Sequence, residues 1–123
     1  MFAKAGERNL LALYDERGQT YAWLHANGNI HGLEGQSLAF VEEDGVYNWE
    51  GMHIAWWADG HMRDWLGAVC LFTEASVKTL VVKPLHEWHQ QRPLKLEMRN
   101  RPLKWPKMAK PPNLCIWTKK MPF

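Results

Sequence analysis

The chain has 123 residues and a net charge of +2, with 46% apolar and 23% charged residues. That is the composition of one soluble globular domain and excludes a fibrous or wholly disordered chain. Apolar runs such as 68–72 are far below a membrane span, and Glu7 and Arg8 stand where a signal peptide needs its apolar segment, so a cytoplasmic protein is expected. Eight tryptophans in so short a chain require a role for aromatic packing or recognition. Cys70 and Cys115 are too few for a disulfide scaffold and lack metal-ligand spacing, so both are expected as reduced thiols.

Along the chain, glycines at Gly18, Gly35, Gly51 and Gly67 mark an internal repeat of sixteen to seventeen residues. Five residues before each glycine stands an apolar anchor: Leu13, Ile30, Val46 and Met62, all expected in the core. Three and five residues after it come Tyr21 and Trp23, Leu38 and Phe40, Ile54 and Trp56, Cys70 and Phe72. Large apolar side chains two apart have the strand period, which places both members of each pair on one face. Between them, on the opposite face, lie Ala22, Ala39, Ala55 and Leu71. A small residue in three of these places predicts close approach of symmetry-related strands.

The turns alternate between two kinds. Asp15 to Gly18, Asn48 to Gly51 and Asp64 to Gly67 place Asp or Asn first and Gly fourth, which suits type I turns closed by a bulge. Between them Asn27-Gly28, Asp44-Gly45 and Asp59-Gly60 predict tight two-residue hairpins. About eight short strands in a meander follow. One such hairpin cannot bury its own apolar face, so stability is expected only when the copies pack together. Closure about an axis needs no capping repeat and protects sheet edges. The predicted fold is all-β: four β-hairpin repeats with pseudo-fourfold symmetry over residues 1–77, then an extended basic tail over 78–123.

The fourfold motif around the glycines, the Asp-Gly turns and the Pro- and Lys-rich tail containing Trp together resemble the bacterial 4-fold β-flower proteins. The resemblance covers residues 10–73 closely and the tail more loosely. It implies the fold and supplies no catalytic residue. The fourth copy departs from the motif at Cys70 and Leu71, so its symmetry with the others is expected to be imperfect.

The charge divides sharply between the two parts. Residues 1–77 hold four basic and eleven acidic side chains, a net of −7, whereas 78–123 hold eleven basic and two acidic, a net of +9. Such a tail either meets an external polyanion or lies on its own acidic domain. Prolines at Pro84, Pro93, Pro102 and Pro111 recur every nine residues, each preceded by a basic residue: Lys83, Arg92, Arg101 and Lys110. Proline at this spacing forbids a long helix or a central strand and leaves an extended path. Nine such residues reach roughly 28 Å at about 3.1 Å each, about a quarter of the girth of a 77-residue globule, which is on the order of 90 Å. The expected tail therefore wraps the flower, one unit per repeat. Trp88, Trp105, Trp117 and leucines such as Leu85, Leu94 and Leu103 offer it apolar surface to bury.

Few residues suggest chemistry. His86 and His89 resemble a zinc-protease pair but stand one residue too close for a helical metal motif. Glu42, Glu43 and Asp44 read as a solvated hairpin tip. Trp49 and Trp65 occupy the same place in the third and fourth glycine turns, where aromatics could stack on a sugar or a quaternary ammonium, unless the tail covers them. Arg92 and Arg101 are candidate partner contacts in the tail. Basic residues interleaved with tryptophans also fit nucleic acid, but the acidic first part opposes a polyanion. The preferred reading is a non-enzymatic binding or interaction module, with protein or small-molecule partners, no membrane and no cofactor. A small metal-dependent or hydrolase-like enzyme using His86, His89 and turn carboxylates is the alternative.

Overall fold

The computed structural model describes residues 10–86 and 92–123. Eight strands follow one another: β1 (Leu10–Tyr14), β2 (Thr20–His25), β3 (Asn29–His31), β4 (Ser37–Glu42), β5 (Gly45–Tyr47), β6 (His53–Ala58), β7 (His61–Asp64) and β8 (Val69–Phe72). Each pairs antiparallel with its neighbours in sequence, and β8 returns to β1 to close a barrel. No helix long and apolar enough to cross a membrane occurs among the described residues. The all-β, fourfold architecture expected from the repeats is the one observed.

The four hairpins β1–β2, β3–β4, β5–β6 and β7–β8 share one register. Across each, an anchor faces the residue four beyond the glycine: Leu13 with Ala22, Ile30 with Ala39, Val46 with Ala55, Met62 with Leu71. All eight are buried in one interior cluster. Large and small side chains thus alternate around the axis, the usual way to fill a small barrel without overpacking it. In the fourth copy Leu71 replaces alanine opposite Met62, whose unbranched side chain adapts to the added bulk.

Each hairpin also carries a register shift at the same place, just after the anchor. Tyr21, Leu38, Ile54 and Cys70 are the extra, unpaired residues. This corrects the simple strand alternation. A bulge rotates one residue off the pleat, and these four pack on or within the interior cluster. Trp23, Phe40, Trp56 and Phe72 remain on the outer face.

The glycine turns form as expected. Gly18, Gly35, Gly51 and Gly67 each donate N–H to the residue three before, at 2.9–3.0 Å, and all take positive φ. Asp15, Asn48 and Asp64 accept two backbone N–H groups apiece on one side-chain oxygen. The second copy has Gly32 in that place, and Gln36 Oε1 accepts the Glu34 N–H instead. Two of the other turns differ from expectation. Asn27-Gly28 ends a turn that begins at His25, with Gly28 N–H donating to the His25 carbonyl. In the next, Glu42 pairs with Gly45, so Glu43 and Asp44 are the central residues and Glu43 takes the positive φ.

Outside the barrel, residues 92–118 run as an extended strap with few regular hydrogen bonds of its own. Its carbonyls at Lys95, Leu103 and Pro112 press onto Gly35, Gly51 and Gly67, and Leu85 does the same at Gly18. Two residues past three of them, Glu97, Trp105 and Leu114 donate N–H to the carbonyls of Gly35, Gly51 and Gly67. Only glycine admits a carbonyl this close to its Cα. At the β8–β1 seam, where Tyr14 and Phe72 are the single paired residues, Val69 instead exchanges backbone bonds with Ile116 and Thr118. The strap thereby covers an edge that the barrel leaves open.

Candidate binding groove

The outer face of the barrel carries a girdle of cross-strand pairs between adjacent repeats: Trp23 with His31, Phe40 with Tyr47, Trp56 with Arg63, Phe72 with Tyr14. Three units of the strap's nine-residue period meet it in turn, and Trp117, off that period, takes the fourth pair. Arg92 lies over the Trp23 ring at 5.5 Å, Arg101 over Phe40 at 4.9 Å, Lys110 over Trp56 at 5.5 Å, and Trp117 packs edge-on against Phe72 at 5.9 Å. Arg101 also donates to Asn29 Oδ1, the Asn27 carbonyl and Glu42 Oε1. Glu42 pairs with Lys104 as well, and these two cations, Lys104 foremost, hold its carboxyl below the usual range. Lys107 does the same for Asp44 at 2.5 Å. The acidic run 42–44 is therefore a clasp for the strap, where a solvated tip was expected.

The buried polar groups of the girdle also serve the strap. Arg63 donates to the carbonyls of Gly67 (2.6 Å), Thr79 (2.7 Å) and Leu114 (2.8 Å). His31 Nε2 meets the Glu97 carbonyl at 2.9 Å, and His53 Nδ1 accepts the Met108 N–H at 3.0 Å. Burial pushes the pKa of both histidines down. Burial likewise raises the Cys70 thiol, with Asp64 adding to it, so Cys70 stays protonated. His86 pairs with Glu74 at 3.3 Å and packs at a tilt against Tyr14. His89 lies outside the described residues, as does Trp88. Among the described residues no group of three or more His, Cys, Asp or Glu is placed to hold a metal ion.

The leucines after the prolines do not face the barrel. Leu85, Leu94 and Leu103 are exposed, while Leu96 is buried against Leu10 and Trp23. The carbonyls of Leu85 and Leu103 meet the glycine turns while their side chains stay exposed.

The cover over the glycine turns is unequal at one place. Trp49 and Trp65 are both second residues of glycine turns. Trp49 packs on Phe40 at 4.9 Å, with Arg99 above it at 5.3 Å. Nine residues beyond Arg99 stands Met108, and Trp65 remains 60% exposed, with Leu66 beside it at 57%. Between the third and fourth turns opens a groove of about 670 Å³, walled by Met52, Ile54, Trp65, Leu66, Met108 and Ile116, with Lys119 and Lys120 also in its lining. Its floor is built firmly: Asp64 Oδ1 fixes the fourth turn, and Asp64 Oδ2 accepts the Thr118 hydroxyl at 2.6 Å, tying strap to turn. Of the residues singled out from sequence, Trp65 lines this groove, whereas Trp49, Arg92 and Arg101 lie in the strap–barrel contact. Met52, Met108 and Ile116 were not foreseen. The available signal was Trp65-Leu66 in a turn whose other copies have an acidic or basic third residue.

A model of the 4-fold beta flower protein family matches residues 11–121. No curated protein and no solved structure matches the chain. With four equivalent hairpins closed about one axis and a match across the barrel and nearly all of the strap, the chain belongs to the 4-fold beta flower protein family.

Proposed function

We propose that this chain is a non-enzymatic binding module of the cytoplasm, and that it binds through the groove between its third and fourth glycine turns. The carrying observation is the exposure of Trp65 and Leu66 on a concavity of about 670 Å³, a size within the range of small-ligand sites. Exposed large apolar side chains gathered in one concave place mark interaction sites more often than scattered ones do. The groups able to do chemistry support the same reading, because His31, His53 and Arg63 are engaged in holding the strap. Arg92, Arg101 and Lys110 lie over the barrel's own rings, which favours a structural use of the strap's charge over nucleic-acid binding.

The test is an NMR fragment screen on labelled full-length protein. Binders are expected to shift the Trp65 indole N–H and the methyls of Leu66 and Ile116. Shifts confined to other surfaces, or stoichiometric zinc with hydrolytic activity in the purified protein, would overturn the proposal.

A further inference from the structure

Resting on that reading, we propose that the ligand of the groove is a free anionic amphiphile: an unbranched alkyl chain ending in a carboxylate, taken from solution as a monomer. The walls are apolar, with Met52, Trp65, Leu66, Met108 and Ile116 presenting thioether, indole and branched alkyl surface. Such walls gain by burying methylenes, at about 0.8 kcal/mol per buried CH₂, and methionine adapts to a flexible chain. The exposed charged side chains of the groove are cationic. Lys119 and Lys120 line it, both are exposed, and neither forms an ion pair among the described residues. The one carboxylate in the lining, Asp64, already accepts from Leu66, Ala68 and Thr118, so it has little capacity left for a cationic head group. The charge left over is positive, and a ligand head of negative charge complements it.

Three features favour this occupant over a membrane or a cationic ligand. The apolar residues line a concavity, a shape that takes one chain from solution, whereas a bilayer is met by a flat or protruding surface. The cation that covers a tryptophan elsewhere in the fold, Arg99 over Trp49, is replaced at Trp65 by the uncharged Met108. The two lysines of the lining are consecutive and follow Thr118 directly, so the free positive charge belongs to one short segment of the wall, which suits a molecule with one charged end.

The experiment titrates full-length protein with dodecanoate below its micelle concentration, followed by Trp65 indole and Ile116 methyl shifts. In parallel arms, dodecyltrimethylammonium, dodecyl maltoside and phosphatidylglycerol vesicles are titrated. Dodecanoate is expected to bind at the groove at least tenfold more tightly than the two other detergents. The double variant Lys119→Gln/Lys120→Gln is expected to erase that preference with circular dichroism and melting unchanged. Equal binding of all three detergents at the groove overturns the head-group assignment and leaves the binding-groove reading intact. Binding to vesicles alone overturns the soluble-monomer assignment. If no amphiphile shifts the groove while the fragment screen does find binders there, the ligand class is wrong and the site survives; silence in both removes the site as well.

Discussion

Gly51 and Leu103 lie backbone to backbone: the Leu103 carbonyl occupies the space a Cβ on Gly51 would need, and two residues on, Trp105 donates its N–H to the Gly51 carbonyl at 2.8 Å. The same handshake recurs at Gly35 and Gly67. Each glycine therefore has two duties, closing a turn with positive φ and seating the strap.

Gly51→Ala should cost more than a turn glycine ordinarily does. Forcing alanine to the observed φ of 86° costs about 1–2 kcal/mol, and displacing the strap should raise the loss to about 2–4 kcal/mol. Gly60→Ala provides the control, because it shares the positive φ but its Cβ would come no closer than 3.2 Å to any neighbour. Urea denaturation of the two variants should separate them by 1 kcal/mol or more, by the same estimates; equal losses would show that the strap contributes nothing.

Arg63 is the polar centre of the fourth repeat. Arg63→Met strands the Leu114 and Thr79 carbonyls and leaves Gly67 with only the Leu114 N–H, and should cost about 3 kcal/mol or more. Arg63→Lys keeps the charge, yet one ammonium cannot reproduce the planar fork, so an intermediate loss is expected in the same denaturation experiment.

Acid should loosen the strap. Burial lowers the pKa of His31 and His53 in the folded protein, below the unfolded value of about 6.5. Their neutral forms thus contribute stability that is fully present above that value and is lost as pH falls through the lower folded values. Protonation of His53 also removes the acceptor for the Met108 N–H. Hydrogen exchange at Met108 should accelerate on acidification beyond the change at the Phe40 amide in the barrel. His53→Gln should abolish that pH-linked difference.

Trypsin offers a direct check on strap docking. The peptide bond after Lys104 is a substrate in an unfolded chain, but Trp105 N–H is bound to Gly51 and Lys104 to Glu42. Cleavage there should be at least tenfold slower in native protein than in the Glu42→Ala/Gly51→Ala variant. Equal rates would mean that the strap is free in solution.

Two equivalent tryptophans should respond differently to alanine. Trp65→Ala, at an exposed position, should change stability by no more than about 0.5 kcal/mol while removing groove binding. Trp49→Ala loses its packing on Phe40 and the overlying Arg99 and should cost about 2–3 kcal/mol.

Much of this architecture was legible because it rests on local rules repeated four times. The glycine turns follow from Asx and Gly spacing, and the anchors from their constant distance to glycine; Leu13, Ile30, Val46 and Met62 are indeed buried. The strand bulge at Tyr21, Leu38, Ile54 and Cys70, distinct from the one expected at the glycine turns, was not legible, because nothing in Tyr21 or Ile54 itself states that the partner strand is one residue short. The groove escaped for a related reason. Trp49 and Trp65 are alike in sequence, and their difference comes from Arg99 and Met108, some fifty and forty residues away.

By itself, then, the sequence determined the hairpin, its turns and the number of copies, since backbone conformation and side-chain period act over a few neighbours. Which residues of the strap meet which repeat, and which one of four similar turns is left uncovered, was decided only in three dimensions. Those outcomes depend on where the closed barrel places surfaces that are remote along the chain, and no short-range preference encodes that distance.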